Sequence, residues 1–428
     1  RTDPDDRQHA EAALKANEVK ALVATSALGM GFDKPDLGFV VHLGAPSSPV
    51  AYYQQVGRAG RATERADVLL LPGREDREVW HFFATNAMPT RARADAVLGE
   101  LSDNPLSAPA LGARVDLRRG QLDLLLKVLA VEGAVRQVQG GWVATGQPWD
   151  YDEDRYTRIA AARVAEQEAM LDYEALGEGQ CRMAYLTASL DDPASAACGR
   201  CDTCAGPWYP VEVNDDGAEA ARKALNRVGV PIDPRSQWPV GMLRLGIDLK
   251  GRIPAGERHE PGRVVARLTD LGYGTALRVL FAVDSGRPLD AQVPAPLAAA
   301  CLRTLKEWDW EQRPAAVAWV PSLSRPTLVS SLATGVAQAG RLALLGPLDL
   351  ALGAAPLNRS TNAAYRLRDV LHRFQVPEAM AARLPELAGP VLLIDDLVES
   401  RWTLTVAARL LRQAGAGTVL PFALAAAG

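Results

Sequence analysis

No run of about 20 uncharged apolar residues occurs anywhere in the 428 residues, so no membrane-spanning helix is expected. The chain does not open on a secretory leader pattern either, and a cytoplasmic protein is expected, nucleoid-associated if bacterial. An excess of positive charge is also missing. Lys and Arg number 47 against 51 Asp and Glu, a net charge of -4, which rules out a basic coat over the whole surface. Any nucleic-acid-binding surface must then be local. Two nucleotide-handling signatures are absent: the phosphate loop Gly-x-x-x-x-Gly-Lys-Ser/Thr, and an Asp-Glu-x-His run for magnesium and water. These residues alone are not expected to hydrolyse ATP. Cysteine is scarce, five in all, with four of them bunched. What remains is 48% hydrophobic and 23% charged, the balance of a soluble globular protein. The length suits about three or four domains with real cores.

The chain is organised around Tyr52-Tyr53-Gln54-Gln55-Val56-Gly57-Arg58-Ala59-Gly60-Arg61, preceded by Ala21-Leu22-Val23-Ala24-Thr25-Ser26-Ala27-Leu28-Gly29-Met30-Gly31-Phe32-Asp33-Lys34-Pro35-Asp36. Arginines beside glycines suit a phosphate-gripping role, because a guanidinium keeps its charge and can hold two oxygens at once. Glycines let the backbone pass close to a partner. The pair of stretches resembles the last two motifs of a superfamily 2 helicase in its RecQ-like version. In that family the second of two RecA-like lobes reaches across to the transferred phosphoryl group. The resemblance implies that Arg61 is the finger, that Arg58 senses nucleotide with it, and that Gln54 couples the ATP site to DNA. It implies further that Gly29, Gly31 and Asp33 lie beside nucleotide or DNA. The family usually continues with Asp-Gly after the second arginine; here Ala62-Thr63 follow.

Taken in order, residues 1–92 read as the C-terminal part of a RecA-like lobe. Short apolar runs at 20–25, 38–43 and 68–71 suggest buried parallel strands, and a helix is expected over 75–85. Alternating strands and helices mean an α/β sheet. The chain begins at Arg1 inside a recognisable pattern, and a piece of a longer protein is expected. Residues 93–148 combine a leucine-rich helical stripe at 117–131 with two short strands around Gln139-Gly140-Gly141, a hairpin signal. A helix followed by such a hairpin suggests a winged-helix-like module, in which Arg114, Arg118, Arg119 and Arg136 are candidates to meet phosphates. A plain packing module is the alternative.

Residues 149–206 form a helical run leading to Cys181, Cys198, Cys201 and Cys204, spaced C-x16-C-x2-C-x2-C. Two tight knuckles offering four thiolates make a closed tetrahedral Zn²⁺ shell with no open position, hence a structural metal. The spacing is similar to the zinc module of RecQ helicases. Cys301 is left over, as a core residue. Residues 207–289, rich in Pro and Gly, read as a connector with a helix near 217–227 and two helical pieces over 263–280 broken at Gly272-Tyr273-Gly274.

Residues 290–428 alternate strands and helices again. Val391-Leu392-Leu393-Ile394-Asp395-Asp396 is an apolar strand ending in two carboxylates, followed by a helix opening within Leu397-Val398-Glu399-Ser400-Arg401-Trp402-Thr403. This resembles the phosphoribosyltransferase fold, in which two acids hold ribose hydroxyls and the following helix start cradles a 5′-phosphate. The resemblance carries Asp395, Asp396, Ser400 and Thr403 into a phosphoribosyl site. Glu399, Arg401 and Trp402 stand where that family has small residues.

The expectation is therefore a multidomain α/β protein: a partial RecA-like lobe, a winged-helix-like module, a four-cysteine zinc module and a phosphoribosyltransferase-like domain. By resemblance it is the C-terminal part of an ATP-dependent 3′-to-5′ DNA helicase of repair or recombination. It would use structural Zn²⁺, with ATP and Mg²⁺ in the full-length protein, and act on single-stranded and forked DNA. The alternatives are a phosphoribosyltransferase-like nucleotide-binding protein and a non-catalytic DNA adaptor.

Overall fold

The computed structural model describes residues 4–25, 33–87, 90–192, 196–210, 212–284, 287–353 and 362–427. The chain divides into two compact units, one of residues 1–91 and 150–212, the other of residues 92–149 and 213–428.

In the first unit, strands Phe39–Leu43 and Asp67–Leu71 pair in parallel, with Phe39 opposite Asp67 and Leu43 opposite Leu71. Helix Pro49–Val56 lies between them in sequence, and Asp76–Ala87 follows. The 22-residue helix Glu153–Glu174 brings the later segment in. Its Met170 and Tyr173 share a core with Tyr52, Val56, Trp80 and Leu186. The Trp80 indole N–H donates to the Ala45 carbonyl at 2.9 Å, so its buried polar atom is satisfied. The run at 20–25 is not a strand, and Val23 is 95% exposed. An apolar run forms a strand only where a neighbour takes its hydrogen bonds, and this sheet is two-stranded among the described residues.

The second unit opens with helices Arg91–Gly99, Ala108–Gly112 and Arg119–Val131, then the hairpin of Val135–Val138 with Gly141–Ala144. Leu106 adds a third rung by exchanging backbone hydrogen bonds with Trp142, at 3.0 and 2.9 Å. A side chain at Gly141 would put its Cβ 2.3 Å from the Leu106 backbone, which is why glycine sits at that crossing. Leu122, Leu125, Leu126 and Leu129 recur on one helix face and are buried. Each contributes about 1.5–3 kcal/mol relative to exposure.

The rest of this unit is a six-stranded sheet in the order Ala343–Pro347, Ala316–Trp319, Val391–Val398, Val419–Ala426, Gly262–Arg267, Val230–Ile232. The five strands up to Gly262–Arg267 run parallel, and Val230–Ile232 is antiparallel to its neighbour. Two apolar cores cover the two faces. Two expectations are corrected here. Residues 207–289 are not a separate connector, because they supply two strands to the sheet. The first of the two helical pieces expected over 263–280 is strand Gly262–Arg267, and only Tyr273–Leu280 is helical. The acid strand runs on to Val398, and its helix opens at Trp402, within the stretch 397–403 expected for it.

The helix–hairpin segment is fixed to the sheet domain within this unit. The Asn362 backbone N–H donates to Asp116 Oδ1 at 2.7 Å, and the Asn362 amide donates to the Gly112 carbonyl. The Tyr365 hydroxyl donates to the Arg114 carbonyl at 3.0 Å. Asn362 caps helix Ala363–Leu371, so one residue serves both the cap and the docking contact.

Candidate motor, metal and nucleotide sites

Helix Pro49–Val56 places the arginine loop. Ser48 caps it, its Oγ accepting from the Ala51 N–H at 3.1 Å, with Pro49 preset at the first helical position. Tyr52 and Val56 face inward, while Gln54 is exposed and Arg58 half-buried. Beyond Gly57 the chain turns through Gly60 at φ +77°. The Gly60 N–H donates to the Leu37 carbonyl at 3.1 Å and the Ala62 N–H to the Pro35 carbonyl at 2.8 Å, tying the loop to the Asp33–Leu37 stretch. Arg61 Nη1 reaches Asp33 Oδ1 at 2.8 Å and its Nε donates to the Gly57 carbonyl at 3.3 Å. Arg61 and Asp33 are thus brought together. Gly29 and Gly31 lie outside the described residues. Sequence reasoning passed over Gln55, whose Oε1 lies 2.8 Å from His42 Nε2 and ties the helix to the first strand.

The four predicted cysteines converge, with their sulfur atoms all within 4.8 Å of one another. The knuckles are held by N–H···S bonds: Ala184 and Cys198 N–H to Cys181 Sγ at 3.4 and 3.2 Å, and Cys201 N–H to Cys198 Sγ at 3.3 Å. Burial raises the Cys201 thiol, but the Thr203 hydroxyl, the Arg182 backbone and neighbouring thiols outweigh it, bringing it down to about 6. Hydrogen bonding to Cys201 chiefly pushes Cys204 the other way, up to about 11. Four mutually close thiols with amide donors to sulfur fit a structural Zn²⁺. Around them Arg182 does work that the spacing did not reveal. Its Nε donates to Asp202 Oδ1 at 2.6 Å and its Nη1 to the Tyr173 carbonyl at 2.9 Å, tying knuckle to long helix. Asp202 within the second knuckle was the available signal.

In the hairpin module the predicted arginines separate. Arg114 Nη1 meets Glu100 Oε2 at 3.2 Å, and Arg119 Nε meets both oxygens of Asp123 at 2.8 and 2.9 Å. Arg118 and Arg136 are exposed, one before the helix and one on the hairpin.

In the sheet domain, Asp395 and Asp396 lie in the carboxyl half of strand Val391–Val398, which has neighbours on both sides, toward the usual ligand crevice of such sheets. Both are buried, at 6% and 9% exposure. Burial, then the charge of Asp396, holds Asp395 well above the carboxylate range. Burial raises Asp396 as well, with the Leu397 N–H and the Arg325 guanidinium holding it back. Ser400 and Thr403 stand at the start of helix Trp402–Gln413, and Arg401 is held at φ +67°. Trp402 does not crowd the loop. It is 1% exposed and packs 6.1 Å from Trp238, near-parallel at 12°. Arg235 lies 4.2 Å over its ring and donates twice to the Ser400 carbonyl, at 2.9 and 2.6 Å. Burial, then Arg401 and Arg366, brings Arg235 down to about 10. Arg366 also lies 3.8 Å from Glu399. Arg235 is 165 residues from Ser400, and nothing local in the sequence marks it.

Comparison with known proteins bears on the first of these sites. Residues 1–63 match the helicase conserved C-terminal domain family. ATP-dependent DNA helicase Q1 of Rattus norvegicus is 48% identical over 71 residues, 17% of this chain and 11% of that protein. ATP-dependent DNA helicase RecQ of a Synechocystis strain is 26% identical over 213 residues, 47% of this chain and 42% of its own. ATP-dependent helicase SGS1 of Saccharomyces cerevisiae is 48% identical over 59 residues, 14% of this chain and 4% of its own. The chain thus spans less than half the length of these curated relatives. The arginine loop, with Asp33 held against Arg61, therefore lies in a helicase conserved C-terminal domain, in a region similar to RecQ-type DNA helicases.

Proposed function

We propose that residues 1–92 are the C-terminal part of the second motor lobe, and residues 149–206 the zinc module, of an ATP-dependent RecQ-like DNA helicase, translocating 3′ to 5′ and serving repair or recombination. The Arg61–Asp33 pair on a loop stitched to Asp33–Leu37 carries this reading, since it parks a guanidinium where a nucleotide-bearing lobe could draw it off. The pair is exposed, at 50% and 69%, so its exchange for a phosphate costs little. ATP would be delivered by a phosphate-binding lobe, whose signature these residues lack, and Mg²⁺ would supply charge neutralisation there. Arg61 would then leave Asp33 for the transferred phosphoryl, Arg58 would report the nucleotide state, and Gln54 would pass it to DNA.

The zinc module would hold the long helix against the motor helix, through Arg182 to Tyr173 and through Tyr173 to Tyr52 at 5.4 Å between rings. Residues 93–148 would act as a winged helix at forked DNA, with Arg118 and Arg136 on phosphates. The test is Arg61→Ala in a chain carrying both lobes. DNA-stimulated hydrolysis should fall by about 10³-fold or more, the usual scale of an arginine finger, with DNA binding kept. Hydrolysis within threefold of wild type would remove Arg61 from that role. Fork binding without hydrolysis in the wild type would favour a non-catalytic adaptor.

A second reading concerns the sheet domain. The buried acid pair before Ser400 and Thr403 favours a phosphoribosyltransferase-like nucleotide-binding domain. It predicts saturable calorimetric binding of phosphoribosyl pyrophosphate that Ser400→Ala weakens. No heat of binding would leave the acid pair without a ligand.

A further inference from the structure

The chain has nine tryptophans, and eight of them are buried or half-buried. Trp208 is the exception, at 48% exposure, although a large apolar ring ordinarily goes inside. Two neighbours flank it. The Arg65 guanidinium lies 5.9 Å from the ring centroid. Arg65 is itself anchored, its Nε donating to Asp67 Oδ1 at 2.9 Å, at the first residue of strand Asp67–Leu71. Tyr209 stands edge-on to the indole, centroids 5.5 Å apart and planes at 88°. The ring is therefore flanked by a cation and a perpendicular ring, with about half its surface left to water. In sequence it lies four residues after Cys204, while Arg65 lies four after Arg61. Trp208 thus bridges the end of the zinc module and the segment leaving the arginine loop.

We propose that Trp208, backed by Arg65 and Tyr209, is a stacking platform for a base of single-stranded DNA. An indole has few rotatable bonds to order when it stacks, and every base offers a π-face, so binding there tolerates any sequence. The guanidinium beside the ring suits a polyanionic strand, as stacking sites for single strands combine aromatic faces with arginine. A base seated on Trp208 also touches the chain leaving Arg61, a short route between strand occupancy and the motor loop. This rests on the reading of the first unit as part of a DNA helicase.

The experiment uses the full chain, zinc-loaded, with a fluorescein-labelled oligothymidylate followed by polarisation. Trp208→Ala should weaken binding roughly fivefold to a hundredfold, the range of losing one base–aromatic stack. Trp208→Phe should stay within about threefold, since a ring remains. The slope of affinity against salt should not change in either, because no charge is removed. Zinc content equal to wild type shows that the module has kept its fold. Trp208→Ala within twofold of wild type overturns the proposal while leaving the helicase reading standing. A wild type that does not bind the oligothymidylate overturns both.

Discussion

At Cys201 a single residue would join folding to metal binding. Burial is outweighed by hydrogen bonds from its neighbours, which lower its thiol to about 6 and favour the thiolate, the form that binds a cation. Cys201→Ser should release zinc and lower the melting temperature, because structural zinc binding is itself folding free energy. Metal analysis and thermal unfolding check it; unchanged zinc content would refute the four-sulfur site. Asp395 runs in the opposite sense. Its folded state holds the proton more tightly than the unfolded chain does, so stability is fully present below the ordinary carboxylate range and is lost as pH rises through the raised folded value. Asp395→Asn keeps an oxygen for the Asp396 N–H at 2.9 Å but removes the charge. It should stabilise the protein at neutral pH by about 1–3 kcal/mol, the scale of an imperfectly compensated buried polar group. The gain should vanish as pH falls toward the unfolded value, as chemical denaturation at several pH values would show; a gain independent of pH would mean another cause. Both residues were legible in the sequence, because knuckle spacing and strand-end acids are local patterns. Arg182 and Arg235 were not. Each is defined by what it reaches, the first a carbonyl on the preceding helix, the second a carbonyl 165 residues away.

At the level of elements, the same division explains what was misread. The leucine stripe of Arg119–Val131, the hairpin after it and strand Val391–Val398 carry their periodicity within themselves. Strand Gly262–Arg267 does not. Its four central residues, Arg263, Val264, Val265 and Ala266, fit a buried strand or a helical turn equally well, and what decides is pairing with Val419–Ala426 far along the chain. Gly262 is the local trace of that pairing. An added Cβ would lie 2.4 Å from the Pro421 carbonyl oxygen and 2.9 Å from its Cβ, and backbone has little room to give. Gly262→Ala should therefore destabilise the sheet domain by about 1–3 kcal/mol, the cost of overpacking a close-packed core. On an exposed, unstrained glycine the same change would be neutral or mildly stabilising. Denaturant midpoints for Gly262→Ala and for Gly335→Ala, a helical glycine whose Cβ would meet nothing within 4 Å, distinguish the two cases. Equal midpoints would mean that the close approach costs nothing.

For the whole molecule, charge sets how DNA would be held. With 47 basic against 51 acidic groups the chain offers no general attraction for a polyanion, and affinity must come from a few placed cations. Ion pairs with Glu100 and Asp123 partly offset the charge of Arg114 and Arg119 in the free protein. A chain that engages few phosphates releases few counterions, so its affinity should fall gently with salt, by about 0.9 in logarithmic slope for each phosphate neutralised on duplex DNA. Arg136 stands exposed on the hairpin, opposite Val143 in the strand register, where loss of its side chain leaves the backbone pairing intact. Arg136→Ala should weaken binding to forked DNA at low salt and reduce that slope by about 0.9, while leaving the thermal stability unchanged. The slope is the discriminating quantity. A variant that binds more weakly at an unaltered slope has lost shape rather than a phosphate contact. One whose affinity and slope both match wild type would take the hairpin away from DNA and leave residues 93–148 as a packing module on the sheet domain they are bonded to through Asn362 and Tyr365.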